Sequence, residues 1–313
     1  MELRQLKYFV RIVEAGSVSR ASQSLHVAQP ALSSQLGRLE DELGTKLLTR
    51  SVRGVVPTEA GAAVYRQAQL ILKQVDATHL IASQADAGPA GRVAIGLPWT
   101  VTSVLGLSLL TEVSTELKAV RLEVVEGPSS VLAQMLAQGK LDLAVLFDNT
   151  TDGGLRMQPV VAEPLLLVGA RGTLTGRSSA TLQEVAALPL LLLSRPNGIR
   201  EEIERIWAVH EVKPNVVAEI NAPGLLIEAV KAGLGFSVLP SCAMEEQLRR
   251  GDIDALELEG GSLTRTVYLS TSRLFALTRA AEHVYMLVEQ LMKDAIDKGD
   301  WTGRLLAEAP EPS

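Results

Sequence analysis

Residues 17–43, SVSRASQSLHVAQPALSSQLGRLEDEL, constrain this chain more than any other stretch, because they read as two helices joined by a very short turn. Val18, Ala21 and Leu25 stand at helical spacing behind Ser17, an N-cap candidate, so a first helix can bury that stripe. His26-Val27-Ala28 leaves room only for a turn. Pro30 then suits the opening of a second helix, where its missing N–H costs nothing. That helix lines up Leu32, Leu36, Leu39 and Leu43 on one face. Pro30, Ser33, Ser34, Gly37 and Arg38 fall on or beside the opposite face, slim enough to enter a DNA major groove. An ordinary helical hairpin with a polar outside fits the same pattern, so this stretch alone does not decide.

The residues that follow favour a nucleic-acid reader. Leu47-Leu48-Thr49-Arg50 and Val55-Val56 can pair as a short hairpin around Ser51-Val52-Arg53-Gly54, a small wing carrying Arg50 and Arg53. An arginine at a wing tip can reach a narrow minor groove or the phosphates. Residues 1–58 hold 8 Lys and Arg against 5 Asp and Glu, a net of +3, while the remaining 255 hold 22 against 31, a net of −9. A modestly basic head on an acidic body is the asymmetry expected of a DNA-binding module attached to something else.

Three segments in order, LKYFVRIVEAGSVSRAS, LHVAQPALSSQLGRLEDELGTKLLTR and RGVVPTEAG, resemble the N-terminal domain of LysR-type transcriptional regulators. The resemblance is dense over residues 1 to about 87. It continues more loosely to about residue 295 through QGKLDLAVLF, PLLLVG and VKAGLGFSVLP. Within the family, the wording of LKYFV and AQPALS is similar to the nitrogen-assimilation-control subgroup and to regulators of aromatic or organic-acid catabolism. The resemblance implies a winged helix-turn-helix followed by a two-lobed α/β domain similar to bacterial solute-binding proteins. Gln29, Pro30, Ser33 and Ser34 are the expected base-edge contacts, and Arg38, Arg50 and Arg53 the expected phosphate or minor-groove contacts. Ser34-Gln35 stands where many members place an arginine after the first serine, which points to a different base preference.

Between head and body a long helix is expected. Thr58 is its N-cap candidate and Glu59 suits the positive end of its dipole. Val64, Ala68, Ile71, Val75, Thr78, Ala82 and Ala85 alternate steps of four and three, a coiled-coil seam that would pair two chains and two reading heads. The alternative is a single helix packed on its own domain. The small residues ADAGPAG at 85–91 then make a hinge. The expected division is a DNA-binding domain over 1–58, a dimerisation helix and hinge over 59–91, an effector domain over 92–295 and a loosely ordered tail over 296–313. Lobe I would hold 92–162 and 266–295, and lobe II 163–265.

In the body, helical stretches alternate with apolar runs from Arg92 onward, which argues for parallel sheets with covered faces. A ligand would sit where strand ends and helix N-termini converge. Three loops are candidate walls: 98–103, 127–130 and 195–200, whose hydroxyls, amides and cation suit a carboxylate. By resemblance, effector contacts come from these loops, at Thr100, Ser129 and Asn197, then at Arg200 and Asn221. Simple N-capping explains each hydroxyl equally well. Asp148, after Phe147 at the end of LDLAVLF, is placed to face the cleft. The sequence shows no arginine there to speak for an acidic effector.

The rest of the chain argues against other classes. Its 47% hydrophobic and 4% aromatic content suits Leu, Val and Ala packing in a two-domain α/β protein. The opening MELRQLKYFVRIVEAG is charged throughout and unlike a signal peptide. No apolar run approaches the ~20 residues of a membrane helix. The one cysteine, Cys242, excludes an internal disulfide, and the expected compartment is the cytoplasm. His26, His79, His210 and His283 are too scattered for a metal site, and Gly233-Leu234-Gly235 reads as a helix end and turn. No cofactor and no catalytic constellation is expected. The functional expectation is a regulator that binds dyad-symmetric promoter DNA as a homodimer or homotetramer, responds to a small-molecule effector, and meets RNA polymerase if it activates. A regulator acting by abundance without an effector is the alternative. A solute-binding protein, or an enzyme with an accessory DNA-binding head, fits least.

Overall fold

The computed structural model of the chain describes residues 1–51, 54–83, 88–147, 154–259 and 263–306. Met1–Ala87 and Gly88–Ser313 form two separate compact units.

The first unit runs α1 (Leu3–Ala15), α2 (Val18–Leu25), α3 (Gln29–Leu43), β1 (Leu48–Ser51), β2 (Gly54–Pro57) and α4 (Glu59–Ser83). The Ser17 hydroxyl accepts from the Arg20 N–H and caps α2, and His26 ends it in the left-handed region with φ 53°. Leu32, Leu36 and Leu39 pack with Leu6, Phe9, Ile12, Val18 and Ala21 in one core. Leu43 does not join them and is 39% exposed. Glu40 turns inward instead. Its carboxylate accepts from the buried Leu47 N–H at 2.9 Å and from Lys46 Nζ at 2.7 Å, fastening the C-terminal end of α3 to the start of the wing.

Burial pushes the Glu40 carboxyl up, but the bonds from Lys46 and from the Leu47 and Leu48 N–H groups outweigh it, so its pKa lies below the usual carboxylate value. A depressed folded pKa contributes stability that is fully present above the unfolded value of about 4.3. That contribution is lost as pH falls through the lower folded value. Glu40→Ala is therefore expected to cost the head about 1–3 kcal/mol at neutral pH, because the Leu47 N–H is left buried and unpaired. Glu40→Gln should flatten the acid limb of the stability curve, as read by urea unfolding between pH 3 and 6; an unchanged limb would detach Glu40 from the wing.

Two glycines set the wing against the helices. Gly54 has φ 121°, and a Cβ there would lie 2.4 Å from the Gly16 carbonyl oxygen, which accepts from the Val55 N–H at 3.0 Å. A Cβ on Gly61 would lie 1.8 Å from the Leu47 carbonyl oxygen. That oxygen accepts from the Thr58 N–H at 2.9 Å, while the Thr58 hydroxyl caps α4 by accepting from the Gly61 N–H at 2.9 Å. Within α4, Val64, Ala68 and Ile71 pack into the head's own core with Tyr65 and Leu72. The first half of the seam read from the sequence is thus intramolecular, held by α1. Val75 is half-buried and Thr78 exposed beyond it, whereas the Ala82 side chain and Ala85 lie outside the described residues.

The second unit continues with β3 (Gly91–Leu97), α5 (Trp99–Glu116), β4 (Val120–Glu126), α6 (Ser129–Ala137), β5 (Leu143–Phe147), β6 (Leu155–Ala170), β7 (Ser179–Ala180), α7 (Leu182–Ala187), β8 (Leu190–Leu193), α8 (Gly198–Val209), β9 (Val216–Ile220), α9 (Pro223–Lys231) and β10 (Ser237–Pro240). A 3-10 turn at Ser241–Ala243, α10 (Glu245–Arg250), β11 (Ile253–Leu258), β12 (Thr264–Ser272), α11 (Arg279–Lys298) and β13 (Arg304–Leu305) complete it. The main sheet runs in the order β4-β3-β5-β12-β6-β11-β7, with β10 and β13 also paired to β6. β3, β4 and β5 are parallel, as are β8 and β9. β12 runs antiparallel to both β5 and β6, and β10 and β11 antiparallel to β6. The all-parallel expectation therefore fails along β6, because that strand leads straight from one lobe into the next with no crossover helix.

β6 pairs with β12 as far as Pro164, and from Leu165 onward with β10 and β11. One core gathers Ile95, Leu97, Val101, Leu105, Leu269, Val284 and Val288 in lobe I; a second gathers Leu167, Val185, Ile203, Trp207, Leu226 and Leu256 in lobe II. Residues 299–306, after α11, are packed rather than loose. Trp301 is 1% exposed within the lobe I core, and Arg304 and Leu305 pair with Ala162 and Val161 of β6. The tail drawn from 296 thus begins inside α11, and a single large aromatic, Trp301, supplies the apolar area that returns the chain to the sheet. Among the described residues, no helix is long and apolar enough to cross a membrane.

Candidate functional site

The head presents its second helix outward. With Leu32, Leu36 and Leu39 buried, the pitch of α3 leaves Gln29, Pro30, Ser34 and Arg38 exposed and Ser33 half-buried on the far side. Ala28 caps the helix without a side-chain bond, so the first N–H groups of α3 are not covered by a cap. Arg38 takes part in no ion pair among the described residues. Arg50 is placed in β1, its side chain lying outside the described residues, as does the whole of Arg53. The exposed face of α3 is polar and cationic, the character of a helix that enters a major groove.

In the body, β3, β4 and β5 end side by side at one edge of the sheet, and the N-termini of α5 and α6 stand over that edge. Pro98 and Pro128 precede these helices, and neither offers a side-chain cap. The Gly127 N–H donates to the Leu97 carbonyl at 3.3 Å, which draws the two loops together. Thr100 and Ser129 are buried there, at 1% and 5% exposure. Thr100 Oγ1 accepts from Arg265 Nη2 at 3.1 Å, whereas Ser129 Oγ has no hydrogen-bond partner among the described residues. Capping accounts for neither hydroxyl. Trp99, beside Thr100, packs against the lobe II core.

Arg265 is the residue that sequence reading missed. Its guanidinium lies 3.7 Å above the centroid of the Phe147 ring and pairs with Glu163, both charges being almost wholly buried. This corrects the reading that no arginine stands by Phe147. The signal was topological: Arg265 is 118 residues from Phe147, and only the antiparallel pairing of β12 with β5, which sets Val267 opposite Phe147, brings it to that strand end. Glu163 gathers three elements. Beyond Arg265, its Oε2 accepts from Trp301 Nε1 at 2.9 Å and from the Cys242 thiol at 3.4 Å. Burial and the adjacent Glu163 carboxylate push the Cys242 thiol well up, so it stays protonated and unreactive at neutral pH.

The lobe II candidates do not converge as closely. Asn197 caps α8, its Oδ1 accepting from the N–H groups of Ile199 at 3.0 Å and Arg200 at 3.3 Å. Arg200 is buried and bonded to Glu204 at 2.6 Å and Glu219 at 2.9 Å. Burial raises the Glu204 carboxyl, but its bonds to Arg200 and Arg195 prevail and hold it low. Asn221 is exposed at the end of β9, and Asp148 lies outside the described residues. A hollow of about 340 Å³ opens elsewhere, between α11 and β13, lined by Gln158, Glu289, Lys293 and Leu306 and by none of the cleft residues.

Comparison with known proteins agrees with both parts. Residues 3–62 match the model of the bacterial regulatory helix-turn-helix protein, lysR family, and residues 86–293 that of the LysR substrate binding domain. The chain is 33% identical over 293 residues to the nitrogen assimilation regulatory protein nac of Klebsiella aerogenes, covering 93% of this chain and 95% of that one. It is 35% identical over 244 residues to nac of Escherichia coli (strain K12), covering 78% and 79%. A full-length OxyR variant from Pseudomonas aeruginosa shares its fold with a TM-score of 0.75 at 23% identity, covering 100% of this chain and 99% of that one. Full-length CbnR complexed with its target DNA does so with a TM-score of 0.62 at 21% identity, covering 93% and 99%. These are regulators rather than enzymes, and with the two family models spanning head and body, the chain belongs to the LysR family of DNA-binding transcriptional regulators.

Proposed function

We propose that this regulator reads dyad-symmetric promoter DNA with paired heads and adjusts its grip in response to a small molecule held between the lobes of its body. The observation that carries the first half is the outward face of α3. Gln29, Pro30, Ser33 and Ser34 meet base edges, while Arg38, Arg50 and Arg53 meet phosphates or the minor groove. Two chains, as a dimer or within a tetramer, set the heads on successive half-sites, and the part of α4 beyond Leu72 is the segment available to pair them. The working division is that of the sequence: head over 1–58, helix and hinge over 59–91, effector domain over 92–295. The protein acts in the cytoplasm, on double-stranded DNA, and an activating form would meet RNA polymerase. Effector contacts are assigned to Thr100 and Ser129 in lobe I, with Asn197, Arg200, Asn221 and Asp148 completing the walls. The effector shifts the subunit arrangement only by binding one arrangement better than another.

Two measurements test this. Binding of the promoter region next to the regulator's own gene is followed by fluorescence anisotropy across a salt series. Arg38→Ala and Arg53→Ala are each expected to weaken binding on every sequence and to lower the salt slope by about 1. An unchanged slope removes that arginine from the interface. For the cleft, Ser129→Ala and Thr100→Val should leave DNA affinity intact and abolish any shift of the footprint by effector. If both variants respond as the parent does, the cleft assignment is wrong. If no metabolite class moves the footprint, the regulator acts by abundance.

A further inference from the structure

We propose that the hollow between α11 and β13 is a second ligand site of the body, separate from the cleft, and that it takes a zwitterionic α-amino acid with an aliphatic side chain. Its volume of about 340 Å³ lies at the small end of the ~300–1,000 Å³ range of ligand pockets. Residues of β6 and of the returning C-terminal strand line it on one side and residues of α11 on the other. These walls are already fixed to one another. Arg304 and Leu305 pair with Ala162 and Val161, and the Leu306 N–H donates to the Val160 carbonyl at 2.8 Å. Tyr285 of α11 donates its O–H to Gln158 Oε1 at 2.5 Å, which ties the helix to β6 and orients the amide. A molecule entering here has no loop to order, which removes one of the main costs of binding.

The lining sets the chemistry. Pro159, Val160, Leu305 and Leu306 supply apolar surface. The charged groups of the lining come as one pair, Lys293 Nζ donating to Glu289 Oε1 at 2.7 Å one helical turn away. A pair of this kind on a helix contributes little to stability and opens readily. Opened, it presents an ammonium and a carboxylate beside the apolar side chains. A simple anion would meet Lys293 but face Glu289, whose side chain is only 18% exposed; a simple cation would meet Glu289 but face Lys293. A like charge held beside a half-buried one is unfavourable, so the pair turns both away. An α-amino acid carries both signs a few ångströms apart and no net charge. Its carboxylate accepts from Lys293 and from the Gln158 amide N–H, its ammonium donates to Glu289, and its side chain lies against Val160, Leu305 and Leu306. Neither charge of the pair is left stranded by the exchange. Gln158 to Val160 stand just before the stretch where β6 leaves β12 for β10 and β11. A molecule bridging them to α11 stiffens lobe I beside that change of partners.

The test uses the whole 313-residue chain and matched probes: leucine; isocaproate, which lacks the ammonium; isoamylamine, which lacks the carboxylate; and glycine, which lacks the side chain. Trp99, Trp207 and Trp301, the three tryptophans of the chain, all lie in the body, so their fluorescence reports its melting apart from the head. Leucine at ~10 times its dissociation constant is expected to raise that Tm by about 3–5 °C, and the other three probes to leave it within about 1 °C. Glu289→Gln and Lys293→Met are each expected to weaken leucine by ~10-fold or more, each removing one charged contact. Both residues are partly exposed on α11, so the unliganded Tm should stay within about 1 °C of the parent. Ser129→Ala is expected to keep the leucine shift, which sets this site apart from the cleft. If isocaproate or isoamylamine serves as well as leucine, the pair does not select and the proposal fails. If leucine acts equally in both α11 variants, or loses its effect in Ser129→Ala, it binds elsewhere and the proposal is overturned. If leucine leaves Tm unmoved up to its solubility limit, the hollow holds water only, and the proposal is overturned while the cleft reading stands.

Discussion

Gly61→Ala is expected to unfold the DNA-reading head while residues 88–306 keep their structure. The added methyl would sit 1.8 Å from the Leu47 carbonyl oxygen and 2.8 Å from its carbon, both backbone atoms with nowhere to turn. Relief requires α4 to leave the wing, breaking the Thr58 N–H bond to that oxygen and the Thr58 cap on Gly61. Overpacking against a side chain costs typically 1–3 kcal/mol; against fixed backbone, with a cap lost as well, we expect more than about 3 kcal/mol. Amide hydrogen exchange should show protection lost across α1 to α4 and retained in β3, β5 and β12. Gly37→Ala is the control, since a methyl there meets nothing within 4 Å and gains about 0.5–1 kcal/mol of helix propensity. Equal protection in the Gly61 variant would mean that the junction of wing and helix has slack that the present geometry denies.

The second large effect is expected at Glu163. Glu163→Ala strands the Arg265 charge in a site where it is 3% exposed and takes the acceptor from Trp301 and Cys242. Breaking one side of a buried ion pair costs about 3–5 kcal/mol, read here by urea unfolding of the body. Combining Glu163→Leu with Arg265→Met should recover most of the loss, because a buried pair replaced by apolar groups is close to neutral. A single Glu163→Ala change costing under about 1 kcal/mol would show that water reaches the pair.

Local patterns carried most of the head. The Ser17 cap, the Pro30 opening and the Leu32-Leu36-Leu39 stripe each follow from spacing within one turn or two, and the structure has each of them. The exchange of Leu43 for Glu40 was hidden because a carboxylate turns inward only when Leu47, seven residues on, brings it an N–H. The seam of α4 was half misassigned for a similar reason: a four-three repeat is the same whether the partner is a second chain or α1. In the cleft, Thr100 and Ser129 were legible as hydroxyls at helix starts. Arg265, Glu163 and Trp301 were not, since each meets its partners across more than 100 residues or through a shared strand. Their chemistry lies in register, and register between distant strands leaves no mark on neighbouring residues.

One consequence follows from β6, whose 16 residues carry ladder partners of both lobes on a single strand, with one register shift opposite Val267 and Tyr268. A door hung on loops swings freely, but here leaf and frame are cut from a single plank. Separation of the lobes is expected to twist β6 near Pro164 and Leu165, where its partners change from β12 to β10 and β11 and Pro164 offers the ladder no N–H. Such a joint stores work as elastic torsion and returns it when the load is removed. A body built this way is expected to act as a spring rather than a latch, so any movement between its lobes should be graded in amplitude and self-resetting.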